Sequence, residues 1–468
     1  MTPYDHLAYT GKTYLQTHPS RMAVVARLFG LATPEPGRAR VLEIGCGDGV
    51  NLIAMAAGLP GAAFVGIDLA PSAIESGRKL ALGAGLRNVS LQVMDLADTA
   101  ALEGEFDFIV AHGVYSWVPA PVRGRLLPLC RSRLRPGGLA LITYACYPGG
   151  HLEELLRRPM QIHAAGGATP SVRVERGREF ALVLARHAAS ARLKALLEEQ
   201  CDSLRAASDA QVFHDHLAEC YAPLYFSEFA AQARSAGLEY VAEADPAALS
   251  TRDLEPEALA AVTRFSQGDR LAREQYLDLL RFRRFRQSLL TNLGPAVLDR
   301  PDPRAVADLW VGAPAVPNPV TTTNPVLRSA LDRVLDSAPA FLPYRSLSPD
   351  NAADDAALRA TFVEMFFSGA IELRATPPSL EPGVTERPRA TALARAQAAA
   401  GASVSSLLHY EVALETQFAR TLLTMLTGRR TRREIGDELA APTRLARDEL
   451  DREIAGCLES FRRHGLLC

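Results

Sequence analysis

Residues 40–49 read RVLEIGCGDG, and residues 65–69 read VGIDL. Val41, Leu42 and Ile44 form a short apolar run, the pattern of a strand buried on both faces of a sheet. The run stops at Gly45, and glycines then fall at every second place, Gly45, Gly47 and Gly49. Glycines so spaced permit a tight turn and let a ligand press against bare backbone. The dinucleotide fingerprint G-x-G-x-x-G is not met, because Val50 stands where its third glycine belongs. Asp68 closes the next apolar run, where a carboxylate is placed to bind two vicinal ribose hydroxyls. Glu43, ahead of the first glycine, completes E-x-G-x-G-x-G.

Outward from this turn the α/β alternation continues. Residues 63–68, 89–93, 106–111 and 139–144 read as strands two to five, and LRPGG at 134–138 as the helix-stopping turn before the fifth. Crossover helices are expected over 51–57, whose N-terminus faces the ligand, and over 72–84. Five βα repeats with right-handed crossovers give an open, doubly wound α/β sheet, which binds ligands at the carboxyl ends of its strands. After strand four comes HGVYSWVP at 112–119, and after strand five TYACYPGGH at 143–151. Both loops carry aromatics and histidines where a plain α/β protein needs only polar turn residues. They are read as an acceptor slot lined by His112, Tyr115, Trp117 and Tyr144, with no residue assigned as a base. A single tryptophan would be read as core, and the pairing of two aromatic loops at adjacent strand ends is what favours the slot.

Before the first strand, Tyr4, Tyr9 and Tyr14 stand among polar residues, with a helix expected over 21–31. Aromatic residues suit a lid over a cationic ligand as well as they suit a surface helix. Residues 175–204 read as one long helix with apolar residues every three or four places, a cap or a homodimer seam. A helix over 229–236, ended by Gly237, and a strand over 238–242 resume the α/β pattern and close the sheet. His214 and His216 flank Asp215 with no third ligand nearby, so hydrogen-bonded histidines are expected there rather than a metal. FRRFRQSLL at 282–290 reads as an amphipathic helix with its arginines in solvent. Residues 295–325 are proline-rich and aperiodic, a linker or extended connection. Helices over 327–335 and 356–367, a short strand over 370–375, and helices over 407–426 and 450–467 follow, the last part with a winged-helix outline. These C-terminal units are read as recruiting substrate, the alternative being a wall packed over the slot. Arg429, Arg430, Arg432 and Arg433 are followed at once by Glu434, Asp437 and Glu438, so nucleic acid is not an expected partner.

The chain has 468 residues, 48% hydrophobic and 22% charged, with formal net charge −2. That suits two to four globular domains and gives no global pull toward nucleic acid or an anionic membrane. Only Lys12, Lys79 and Lys194 among the 51 basic residues are lysine, which reads as base composition. Seven scattered cysteines without a C-x-x-C pair argue against a structural zinc or a disulfide framework. No signal-peptide core and no apolar run of roughly 18–20 residues is present, so a cytoplasmic protein without a membrane span is expected.

The E-x-G-x-G-x-G turn with Asp68 and Asp95 resembles the class I S-adenosylmethionine-dependent methyltransferases. That resemblance implies a Rossmann-like methyltransferase sheet with a helical insert and a mainly helical, winged-helix-like C-terminal region. It implies S-adenosylmethionine as cofactor, without metal, held by Glu43, Gly45, Cys46, Gly47, Gly49, Asn51, Asp68, Leu69, Asp95, Leu96 and His112, with Asp95 accepting the adenine amino group. HGVYSWV, YPGGH, residues 213–244 and FRRFRQSLL are similar, more narrowly, to methyltransferases carrying a methyltransferase-regulatory domain. That group includes bacterial protein-lysine methyltransferases acting on an outer-membrane surface protein. The resemblance covers residues 4–290 well and the remainder loosely. Members often carry Asn after the tyrosine of strand five and Trp in the proline-glycine turn, where Ala145 and Gly150 stand here. The implied division is a methyltransferase core over 1–150, a helical insert over 151–212, a regulatory region over 213–294, a linker and middle domain over 295–400, and a winged-helix-like domain over 401–468. The implied activity is N-methylation of lysine in a protein or peptide substrate. A small-molecule or natural-product peptide acceptor, and a cofactor-binding scaffold without activity, stay open as alternatives.

Overall fold

The computed structural model describes residues 7, 11–314, 322–443 and 445–468, so Tyr4 and Tyr9 lie outside the described residues. Strands β1 (Arg40–Ile44), β2 (Ala63–Asp68), β3 (Val89–Val93), β4 (Phe106–Ala111) and β5 (Leu134–Ala145) run parallel, as five apolar runs joined by crossovers require. Two later strands, β6 (Leu238–Glu243) and β7 (Phe285–Asn292), extend the sheet to seven, in the order β3-β2-β1-β4-β5-β7-β6. The order reverses between β1 and β4, so the crevice for a ligand opens at their carboxyl ends. Helices α1 (Pro19–Leu28), α2 (Val50–Gly58), α3 (Pro71–Gly83) and α4 (Ala120–Arg133) accompany these strands. Helix α1 starts where Pro19 presets the backbone and His18 Nδ1 accepts from Ser20 N at 3.2 Å.

Four expectations need correction. LRPGG is not a turn ahead of β5 but its first residues. The register against β4 jumps from Phe106–Leu134 to Phe108–Leu139, and the surplus residues form a bulge with Gly137 at φ +75°. FRRFRQSLL is not a solvated helix, since β7 pairs antiparallel with both β5 and β6. Its arginine side chain at 286 is wholly buried. Arg286 Nε donates to Asp278 Oδ2 at 2.7 Å, Nη1 to Glu243 Oε1 at 2.8 Å and Nη2 to Glu274 Oε2 at 3.0 Å. Phe282, Phe285 and Leu289 imitate a helical stripe, but three buried carboxylates make the strand the better home for this arginine.

The long helix expected over 175–204 is two, α6 (Pro170–His187) and α7 (Ala191–Ala206). Neither Gly nor Pro marks the break; instead Ser190 accepts from Leu193 N and caps α7. With α5 (Gly150–Ala164) they bury a core of their own, including Met160, Ala181, Leu197 and Cys201. Finally, the helix expected from Leu407 begins only at Gln417, because β11 (Ser403–Ser405) and β12 (Glu411–Ala413) pair as an antiparallel hairpin first.

The region beyond Asn292 does not hang from a free linker. Within the proline-rich stretch, β8 (Trp310–Gly312) lies between β9 (Leu342–Pro343) and β10 (Glu372–Arg374) in a second, three-stranded sheet. Val306, Val311, Phe362, Phe366 and Leu373 share one hydrophobic core with Met22 and Val25 of α1 and Val41, Phe108 and Leu141 of the main sheet. Arg21 Nη1 meets Glu372 Oε2 at 2.8 Å, and Arg374 Nε meets Glu372 Oε1 at 3.1 Å, tying α1 to β10. This region is therefore part of the packed core and not a detached tail. In the winged-helix part, Arg430 pairs with Glu438 and Arg432 donates to Thr385 O, so these arginines serve the chain itself. No helix among the described residues is long and apolar enough to cross a membrane.

Candidate active site

At the carboxyl end of β1 the chain turns through Gly45, Gly47 and Gly49, all at positive φ (70°, 56° and 70°). At Gly45 an added β-carbon would lie 2.5 Å from Val114 Cγ2, whereas at Gly47 it would meet nothing within 4 Å. Gly45 therefore serves packing against the loop after β4, and Gly47 faces an open cradle. Asp68, at the end of β2, accepts from Gly47 N at 2.8 Å and from Ala70 N at 2.9 Å, which fixes its carboxylate across the turn. Each oxygen keeps a lone pair for a further donor. Leu69 is half exposed beside it. At the end of β3, Asp95 is exposed and accepts from Ala97 N at 2.7 Å, with Leu96 packed against the core. Cys46 is a buried free thiol, held protonated by burial.

Glu43 and Asn51 sit behind the turn, at 4% exposure each. Asn51 Nδ2 donates to Glu43 Oε1 at 2.7 Å and to Thr17 Oγ1 at 3.0 Å. Its Oδ1 accepts from Tyr14 N at 3.0 Å and lies 3.0 Å from His409 Nε2. Both ends of the Asn51 amide are thus committed within the chain. Glu43 Oε2 is buried without a partner among the described residues. Burial pushes the Glu43 carboxyl up to about 8, against the hydrogen bond from Asn51.

On the acceptor side the loops after β4 and before β7 converge. The Tyr14 ring lies over His112, centroids 3.8 Å apart, and Gly11 N donates to Asp48 Oδ2 at 3.1 Å, so residues 11–17 cross the site as a lid. His112 meets Phe285 edge-on at 6.1 Å, Phe285 lies 6.3 Å from Trp117, and Trp117 lies 6.0 Å from Tyr221. His112 Nδ1 and Trp117 Nε1 are buried without partners among the described residues. Burial pulls the His112 imidazole down to about 4, so it is neutral near pH 7.

Tyr115 and Tyr144 do not line this slot. Both are buried behind it, where Tyr144 stacks on Phe229 at 4.0 Å and donates to or accepts from Ser288 Oγ, and Tyr115 OH bonds Gln232. Phe285, Tyr221 and His409 were not among the expected site residues. Phe285 was hidden by its helix-like spacing, Tyr221 by its distance from any motif, and His409 by a sequence separation of 358 from Asn51. Asp215 lies in the π-helical turn Val212–His216 near Tyr14, and burial pushes its carboxyl up to about 6. Its neighbour His214 bonds Leu7 O at 2.7 Å. Among the described residues no group of three or more His, Cys, Asp or Glu could hold a metal.

A doubly wound sheet with a glycine turn, a carboxylate at the end of the next strand and an antiparallel seventh strand defines the class I methyltransferase fold. Residues 41–138 match the family model described as methyltransferase domain, 208–292 the predicted methyltransferase regulatory domain, and 386–455 the PKMT C-terminal winged helix domain. The uncharacterized protein RP028 of Rickettsia prowazekii is 31% identical over 233 residues, covering 49% of this chain and 93% of that one. A second Rickettsia prowazekii protein, RP789, is 32% identical over 291 residues, 62% of this chain. The match spans 52% of RP789, about half its length. PKMT2 from Rickettsia typhi, solved alone and in complex with AdoHcy, superposes with a TM-score of 0.85 at 24% identity, covering 98% of this chain and 99% of that one. This chain belongs to the S-adenosylmethionine-dependent methyltransferases that carry a methyltransferase-regulatory domain and a PKMT winged-helix domain.

Proposed function

We propose that the chain transfers a methyl group from S-adenosylmethionine to the side-chain nitrogen of a lysine in a protein or peptide. The observation that carries this reading is the junction of two features at one sheet end. Gly47 faces an open cradle, and the loop whose Val114 abuts Gly45 also carries His112 and Trp117, the start of the aromatic slot. When bound, the cofactor supplies an electrophilic methyl carbon on a sulfonium. Gly47 and Asp68 would hold it, with Asp95 and Leu96 at the adenine end; the spare lone pairs of Asp68 and the open face of Gly47 fit that role.

The chain's part is orientation more than acid–base work. The rings of Tyr14, His112, Trp117, Tyr221 and Phe285 present faces and edges to a long aliphatic amine. Neutral His112 adds no charge to repel it. Dehydration in this slot, beside a sulfonium, disfavours an ammonium and lets the amine arrive with its lone pair free. The PKMT2 match and the winged-helix model support a protein acceptor. Exposed Ile162, Val183, Leu193 and Leu196 on the insert support a homodimer seam over a cap. Seven free thiols support a cytoplasmic setting.

The test is incubation of the full chain with isotopically labelled S-adenosylmethionine and lysine-containing peptides, followed by fragmentation mass spectrometry. Label on lysine Nζ is expected. Label confined to oxygen, or no label on any peptide or host protein, would overturn the lysine reading.

A further inference from the structure

The hairpin β11–β12 of the winged-helix domain reaches back across the molecule to the cofactor turn. Its tip, residues 406–410, is folded tightly: His409 N donates to Ser406 O at 2.9 Å and Ser406 N to Tyr410 O at 2.9 Å. Arg374 Nη2 donates to Leu408 O at 3.0 Å and so anchors the tip to β10. The tip leaves His409 at 1% exposure and φ +66°, a backbone conformation that costs an L residue other than glycine or asparagine about 1 kcal/mol or more.

The hydrogen-bond pattern fixes the proton on this imidazole. Tyr14 N–H can only donate, so the atom of Asn51 that it meets is the amide oxygen. The same oxygen faces His409 Nε2 at 3.0 Å, which must therefore carry the proton. His409 Nδ1 is left bare and buried without a partner among the described residues. Leucine would fill this space without an orphaned nitrogen, and asparagine would take the backbone more cheaply. What histidine supplies, and leucine does not, is an N–H at Asn51 Oδ1, with a backbone hydrogen bond with Tyr14 beside it.

From that bond three others follow. Asn51 holds Glu43 through Nδ2, holds Tyr14 N through Oδ1, and is the second residue of α2, one place after Val50. We propose that His409 is a positioning residue through which the seated winged-helix domain sets the affinity of the glycine turn for S-adenosylmethionine. Its Nε2–H orients the Asn51 amide, and the amide holds both the acidic residue behind the turn and the lid that covers His112. The inference rests on the cofactor reading above. Burial, with Arg374 adding to it and a backbone hydrogen bond with Tyr14 opposing it, pulls His409 down to about 3, so the ring is neutral near pH 7.

The test uses the full chain and isothermal titration with S-adenosylhomocysteine, alongside the melting temperature of the ligand-free protein. His409→Leu keeps the volume and the backbone strain but removes the donor, and is expected to weaken binding about tenfold, the worth of one buried hydrogen bond. His409→Gln carries the same backbone cost and returns an N–H at similar reach, and is expected to bind within about twofold of the wild type. His409→Asn suits the left-handed backbone and folds at least as well, but its amide falls short of Asn51, so it should bind as His409→Leu does. Equal binding by the wild type and His409→Asn would overturn the proposal. So would equal losses in His409→Leu and His409→Gln that track their melting temperatures. No binding by the wild type itself would overturn the cofactor reading instead, which keeps the two failures apart.

Discussion

At β7, Arg286 is wholly buried and each of its three guanidinium nitrogens meets an acceptor from Asp278, Glu243 or Glu274. At β1, three strands away with β5 and β4 between, Glu43 is almost as buried, yet only one of its oxygens is bonded. The same contrast recurs beside them. Arg283 also pairs into the β7 cluster, through Asp278 at 3.1 Å, while His112 Nδ1 and Trp117 Nε1 point at nothing among the described residues. Where the charge is structural, the fold supplies every counter-charge, because an unpaired buried ion costs several kcal/mol. Where a ligand is to be held, the fold leaves buried polar groups unsatisfied or neutral. Completeness of charge pairing thus separates Arg286 from Glu43, although the side-chain oxygens Gln287 Oε1 and Asn292 Oδ1 of β7 are also buried without partners among the described residues.

The largest effect should come from cutting the chain after Asn292. That exposes the apolar surface of Met22, Val25, Phe108 and their neighbours, now covered by Phe362, Phe366 and Leu373. An insoluble product, or loss of turnover on short and long acceptors alike, is expected in a fractionated expression trial. A soluble fragment with normal kcat on a short peptide would mean that the middle region is not a wall. Arg286→Leu comes next. It leaves three carboxylates buried around an apolar side chain and should cost about 3–5 kcal/mol in urea unfolding, with the affinity of the surviving folded protein for S-adenosylhomocysteine unchanged. A cost below about 1 kcal/mol, the range of an exposed ion pair, would break the comparison at its architectural end.

Trp117→Ala probes the working end. It should lower kcat about tenfold or more by loosening the acceptor, while cofactor affinity and melting temperature stay near the wild type. A joint fall in all three would make Trp117 a core residue. The same end also sets a pH dependence in the ligand-free protein. Glu43 has a folded value of about 8 against an ordinary 4.5, so the folded chain holds a proton that the unfolded chain has released. Its contribution is fully present below about 4.5 and is lost as pH rises through about 8. Glu43→Gln mimics the protonated form. Its stability relative to the wild type should therefore climb from pH 5 to 8 and level off above, as read by denaturant titration at each pH. A flat difference would place Glu43 among the satisfied groups.

The contrast also explains what could be read from sequence. Strands β1, β2 and β4 announce themselves because a strand buried on both faces is a nearly continuous apolar run, and the glycines after β1 admit few other uses. Asp68 and Trp117 follow from their places at strand ends. β7 was illegible because a buried arginine looks the same in a string of letters as a solvated one; only Asp278, Glu274 and Glu243 decide its address, and they lie on other elements. The break between α6 and α7 hides in an ordinary serine cap. Tyr144 falls in the right strand, yet it faces the core, and Tyr115 folds in from its turn to meet the same ring, Phe229. His409 meets Asn51 only after the second sheet and the hairpin have folded, so no local pattern could reveal it.

The central claim is that the unsatisfied end of the sheet is a cofactor site. Isothermal titration of the full chain with S-adenosylhomocysteine in the presence of EDTA, repeated on Asp68→Ala, tests it most directly. Binding by the wild type, weakened by roughly 1.5–3 kcal/mol in the variant through loss of charged hydrogen bonds, is the result expected. Equal affinity in both proteins, or no binding by the wild type, would contradict it.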